Sequence, residues 1–208
     1  MAAARNEFDE ESFQAWYGRW APIQPAGVAR LLAGSGVRWW IAGGRAARVG
    51  ASPRRHEDTD VAFLLADLPA LRDHLSQWHL WEVGGGTLRP LLPEDQLAAD
   101  RTQLWLRRDA QHPWELDLLV DRSEDEWVYK PDDRVRLPWD RALHTVDDIT
   151  YLRPEVALLY KAGKDRPKDR ADLADLAAAS LDPTARAWLV DTLHQLGHDT
   201  WARQAAQR

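Results

Sequence analysis

Two aspartates separated by one residue, Asp58 and Asp60 in "HEDTDVAFLL", open the stretch of this chain with the clearest capacity for chemistry. In an extended segment side chains alternate, so both carboxylates leave one face while Val61 and Phe63 leave the other. Two carboxylates side by side repel and raise each other's pKa unless a cation joins them. A hard divalent ion such as Mg²⁺, which prefers oxygen ligands, is the natural partner. For an isolated Asp-x-Asp, a solvated strand edge explains the pattern as simply. A third acid shifts that balance. In "WELDLLVD", Glu115, Asp117 and Asp121 share a face opposite Leu116, Leu118 and Val120. An acid between leucines is costly unless paired or coordinated, so Asp117 is the expected third metal carboxylate, against the alternative of a sheet face open to water.

Groups that could meet a phosphate lie on either side of these acids. Gly43 and Gly44 follow an apolar run, where missing side chains let backbone N–H groups approach phosphate oxygens; a plain turn is the competing reading. Arg54 and Arg55 precede the aspartates at a range suited to a polyphosphate, although surface loops carry arginine pairs without any ligand. Lys161, Lys164, Arg166 and Lys168 form a short basic cluster around a helix end and the next helix start, in a chain of formal net charge −6. A polyphosphate tail would account for their position; so would a solvated helix pair.

The elements that must hold these groups follow from periodicity. "PAGVARLLAGSG" predicts a helix with Val28, Leu31 and Leu32 on one side, stopped by glycines. "VRWWIAG" and "DTDVAFLL" predict buried strands, and "DLPALRDHLSQW" a helix burying Leu68, Leu71 and Leu75. "TQLWLRRD", "PWELDLLVD" and "EWVYK" predict further strands, largely antiparallel. Beyond Pro154 the pattern is helical, with Pro154, Pro167 and Pro183 placed where helices can begin. The expectation is an α/β (α+β) protein: a core over residues 1–148 and a helical subdomain over 149–208 packed on it. Trp39, Trp40, Trp105 and Trp114 are expected in the core. The charge and a pI near 5.6 argue against a broad nucleic-acid surface. Absence of cysteine, of an apolar leader and of a membrane-length apolar run makes a cytoplasmic protein without membrane partners the expectation.

Taken together, "WIAGG", "GASPRRHEDTD" and "RPEVALLYKAGKDRPKDRADL" resemble the nucleotidyltransferase superfamily of the DNA polymerase β type, and within it the bacterial aminoglycoside and lincosamide nucleotidyltransferases. Their pattern runs from an apolar strand to Gly-Gly, through Gly-x-x-x-Arg-x-His-x-Asp-x-Asp, to a tail with Pro-Glu, Leu-Leu-x-Lys and Lys-Asp-x-x-Asp-Leu; the likeness spans Val37 to Leu173. The resemblance implies a mixed, largely antiparallel sheet flanked by helices. It implies that Asp58 and Asp60 bind two Mg²⁺ ions, that Asp117 completes the metal site, and that Gly43, Gly44, Arg45 and Arg54 contact the nucleotide. Lys161 and Lys168 are then expected at the triphosphate tail, Asp117 as the base with Glu115 as an alternative, and His56 as a residue orienting the loop. The implied reaction moves a nucleoside monophosphate, AMP from ATP, to a hydroxyl of a small molecule such as an aminoglycoside-like or lincosamide-like antibiotic. Transfer to a protein or RNA, and a non-catalytic nucleotide-binding scaffold, are the alternatives. Two positions depart from the pattern: Thr59 stands where an aliphatic residue is usual, and Arg45 where many relatives have tryptophan.

Overall fold

The structure, a computed structural model, describes residues 10–47, 58–178 and 181–207. Helices α1 (Glu10–Tyr17) and α2 (Pro25–Leu31) lead to β1 (Trp39–Ile41), the single turn α3 (Gly43–Ala46), β2 (Asp60–Leu64) and α4 (Leu68–His74). Then come β3 (His79–Gly84), β4 (Thr87–Pro90), β5 (Gln103–Arg107), β6 (Leu116–Asp121), β7 (Glu126–Val128), β8 (Arg136–Pro138), the short α5 (Trp139–Ala142), β9 (Leu143–Val146) and β10 (Ile149–Leu152). Helices α6 (Pro154–Ala162), α7 (Pro167–Ala178), α8 (Pro183–Gln195) and α9 (Asp199–Ala206) close the chain.

Among the described residues eight strands form one sheet in the order β4-β3-β5-β6-β2-β1-β10-β9, while β7 and β8 pair separately. The protein is α+β, with a mostly antiparallel sheet. The exceptions are β2 beside β6 and β1 beside β10, which run parallel. The two-residue alternation expected in the strands sorts their side chains onto two cores. Ile41, Val61, Phe63, Leu116, Leu118 and Val120 face Val28 of α2 and Leu68 and Leu71 of α4. Trp40, Ala62 and Leu64 face the helices, meeting Leu158 and Leu159 of α6, Leu189 and Leu193 of α8, and Trp201 of α9. Full burial of each such side chain is worth about 1.5–3 kcal/mol, so both faces of the sheet are committed.

The helices of the tail begin at Pro154, Pro167 and Pro183, where proline's missing N–H sacrifices no intrahelical bond. Asp182 adds a cap to α8, accepting from the N–H of Thr184 at 2.9 Å and of Ala185 at 3.3 Å. The helical run starts later than residue 149. Ile149–Leu152 is β10, inserted between β1 and β9, so the expected change of character at 148 falls within the β9–β10 turn. Among the described residues no helix is long and apolar enough to cross a membrane.

Candidate metal and phosphate site

Parallel pairing of β2 with β6 sets Asp60 opposite Asp117. Asp58 lies just before β2, and one carboxylate oxygen from each of the three lies within 4.8 Å of the others. An octahedral Mg²⁺, bound at about 2.1 Å, holds ligand oxygens roughly 3–4 Å apart, a spacing compatible with three oxygens that converge within 4.8 Å. The chain on either side is built around Asp60. Gly43 has φ +59°, and a Cβ there would sit 1.7 Å from Asp60 Oδ2. Only glycine meets both demands. The Gly44 N–H donates to the same carboxylate. Asp117 is held differently: Gln103 Nε2 donates to its Oδ2 at 2.6 Å, and its Oδ1 is buried with no hydrogen-bond partner among the described residues. A buried acceptor left unsatisfied is destabilising, and a cation at this point would satisfy it.

The electrostatics agree. Burial, reinforced by the charge of Asp58, pushes the Asp60 carboxyl up to about 7; Lys164, Lys161 and the Gly44 N–H oppose the rise. Burial, then the neighbouring Asp60, raises Asp117 well above the usual carboxylate range despite the Gln103 hydrogen bond. Three ionised carboxylates at this spacing need positive charge. The residues present thus fit one or more hard cations.

The acids lie in a cleft of about 700 Å³ that Gly43, Gly44, Lys161, Lys164, Arg166 and Lys168 also line. Lys161 is buried, with its Nζ 2.8 Å from Asp172 and 3.3 Å from Asp169. Arg166 grips the same Asp169 at 2.7 Å. Both cations reach the cleft with their charge already shared. Lys164 differs: its ammonium has no ion-pair or hydrogen-bond partner among the described residues, and its charge opposes the raised pKa of both Asp60 and Asp117.

Arg45 does not line the cleft. Its Nε donates to Thr59 Oγ1 at 2.9 Å and to the Asp58 carbonyl at 3.3 Å, while a terminal nitrogen donates to Gln24 Oε1 at 2.9 Å. The two departures from the expected pattern, Arg45 and the fully buried Thr59, are therefore bonded to each other. Together they fasten the backbone that carries Asp58. Glu115 is turned to Arg108 at 3.3 Å and stays outside the cleft. Arg54, Arg55 and His56 lie outside the described residues.

Sequence reasoning did not pick out Gln103 as a site residue. Its only signal is a polar residue alternating with Leu104 and Leu106 on an apolar strand. Nor did it give the far side of the cleft, where Phe13, Trp20, Thr102 and Trp105 form the wall beside Gln103. Trp40 and Trp114 are core residues as expected, and Trp105, though only 8% exposed, borders the cleft. Asp121, burial-raised against Lys130, continues the acidic face of β6. No protein-family model matches this chain, and no curated protein is significantly similar to it.

Proposed function

We propose that the protein is a Mg²⁺-dependent nucleotidyltransferase that moves a nucleoside monophosphate, AMP from ATP, to a hydroxyl of a small-molecule acceptor and releases pyrophosphate. The observation that carries this reading is the set of three convergent carboxylates, one with a buried oxygen that has no partner among the described residues, flanked by a glycine turn and a lysine-rich helix junction in a single cleft. Asp58, Asp60 and Asp117 would hold the metal. Bound there, Mg²⁺ supplies charge neutralisation at the α-phosphate and lowers the pKa of the attacking hydroxyl.

The remaining roles belong to the chain. Gly43 and Gly44 leave room for phosphate oxygens beside Asp60, and Lys164, Lys168 and Arg166 offset the charge that builds on the leaving pyrophosphate. The acceptor oxygen forms a bond to the α-phosphorus as the bond from that phosphorus to the pyrophosphate oxygen breaks. Its proton passes to Asp117, whose orientation Gln103 holds, and the transfer is eased because metal coordination lowers the pKa of the hydroxyl. Most of the acceleration would come from positioning and charge stabilisation.

Thermal unfolding with each NTP, with and without Mg²⁺, tests the reading in the wild type, Asp58→Asn and Asp60→Asn. A ligand that binds the folded state alone raises the midpoint by mass action. The expected result is a rise that requires Mg²⁺ and disappears in both variants, accompanied by incorporation of label from α-labelled ATP into an acceptor. Equal rises in wild type and Asp60→Asn would remove the metal assignment, and no rise with any nucleotide would leave a degenerate scaffold.

A further inference from the structure

The cleft is unequal on its two sides. Across the sheet the order β5-β6-β2-β1 places Trp105, Asp117 and Asp60 in one cross-strand row, and the glycine turn follows β1. With strands about 4.8 Å apart, Trp105 flanks Asp117 on the side away from Asp60. Helix α6, which leads into the basic cluster, packs against α3 beyond β1. Phosphate-binding groups therefore collect on the β1 side of the carboxylates. On the β5 side the wall is formed, among the described residues, by Phe13, Trp20, Thr102, Gln103 and Trp105, none of them charged.

These rings form a connected group. Trp20 meets Trp105 edge to face with centroids 5.2 Å apart, and Phe13 meets it at 6.0 Å. Phe13 and Trp20 are half-buried, leaving part of each ring at the surface. Such a wall takes the apolar face of a ring. It offers nothing to an ammonium-rich acceptor beyond the weak attraction of aromatic faces. The charge balance points the same way: among the described residues the cleft is lined by four acids, Asp58, Asp60, Asp117 and Asp121, and by five lysines and arginines. Three of those acids would be committed to the metal and the fourth interacts with Lys130, so none of these four is left to pair with amino groups.

We infer that the acceptor is an uncharged, hydroxyl-bearing ring compound of the glycoside kind, packed on Phe13, Trp20 and Trp105 with its reacting hydroxyl toward Asp117. This rests on the transferase reading for the role of the bound ring, but binding of the ring can be measured alone. Saturation-transfer NMR with p-nitrophenyl β-D-glucopyranoside, in the presence of Mg²⁺ and ATP, compares wild type with Phe13→Ala and Trp20→Ala and uses spermine as a polycationic competitor. Phe13 lies on the peripheral α1, so its loss spares the sheet if Trp20→Ala disturbs folding. The expected result is binding that weakens about tenfold in the variants, the loss of one aromatic contact, with an unchanged Mg²⁺–ATP midpoint rise and no displacement by spermine. Failure of the glycoside to bind wild type at millimolar concentration, equal binding by Phe13→Ala, or displacement by spermine would overturn the inference. Phe13-dependent glycoside binding in a protein that shows no nucleotide-induced rise would support the ring subsite while removing the transferase reading.

Discussion

At the scale of single residues, Asp60 concentrates the tension of the site. It lies opposite Asp117, receives the Gly44 N–H, and touches the space that any side chain at position 43 would fill. Its carboxyl, pushed up to about 7 by burial and by Asp58, takes up a proton on folding. With a folded pKa above the unfolded one, its contribution to stability is complete below the ordinary carboxylate pKa. That contribution falls as the pH climbs toward 7 and is gone above it. A cation that binds the ionised form must displace this proton at low pH and need not at high pH. The Mg²⁺-induced rise in unfolding midpoint is therefore expected to be larger at pH 8 than at pH 6, where proton competition weakens apparent affinity by about tenfold. In Asp60→Asn the rise should vanish at both pH values. Calorimetry over this range decides the matter: a rise in wild type independent of pH would mean that Asp60 is not among the ligands.

Between elements, the junction of α6 and α7 separates two roles that neighbouring lysines could be confused about. Lys161 is enclosed by Asp169 and Asp172. These aspartates belong to the Asp-x-x-Asp of "KDRADL", so the motif's spacing is that of one helical turn presenting two acids to a lysine of the preceding helix. Removing one partner of a buried pair leaves charge uncompensated, and Lys161→Met is expected to lower stability by about 3–5 kcal/mol. Lys164 is exposed and bound to no acid among the described residues, so Lys164→Met should change stability by no more than about 0.5 kcal/mol while reducing the ATP-induced midpoint rise. Urea unfolding and nucleotide titration of both variants provide the comparison. The reverse pattern, a stable Lys161→Met that no longer responds to ATP, would make Lys161 the phosphate contact. From sequence alone Lys161, Lys164, Arg166 and Lys168 form one basic cluster, because charge type and spacing are visible there and pairing is not. The same holds for Arg45 and Thr59. Each looks like an isolated departure from a pattern, and only their 2.9 Å hydrogen bond reveals them as a matched pair.

Over the whole molecule, what could be read in advance was local and periodic. Alternation in "DVAFL" and "LDLLVD" sets Asp60 and Asp117 each on the face of its own strand opposite the apolar neighbours, and the prolines mark the helix starts of the tail. Contacts distant in sequence were not legible: that β2 and β6 run side by side and parallel is decided by packing of the whole sheet, not by either segment. Strand β10 was missed for a chemical reason. Its hairpin turns through Asp147 and Asp148 at φ 49° and 61°, a left-handed pair for which Asn-Gly is the usual signal. Its place in the sheet bears on how the chain folds. β10 joins the sheet to α6 with Arg153 alone between them. The buried residues of α6, α8 and α9 share one core with Trp40, Ala62 and Leu64 of the central strands. Neither the sheet nor the helical tail can bury its apolar face without the other, so the two should lose structure together. Scanning calorimetry is expected to show a single transition with equal calorimetric and van't Hoff enthalpies. A chain ending after Arg153 should expose Trp40 and Leu64 and lose its near-ultraviolet circular dichroism. Two separable transitions, or a well-packed truncated chain, would instead divide the molecule into independently stable halves, and the cleft that both halves line would then be an interface free to open and close.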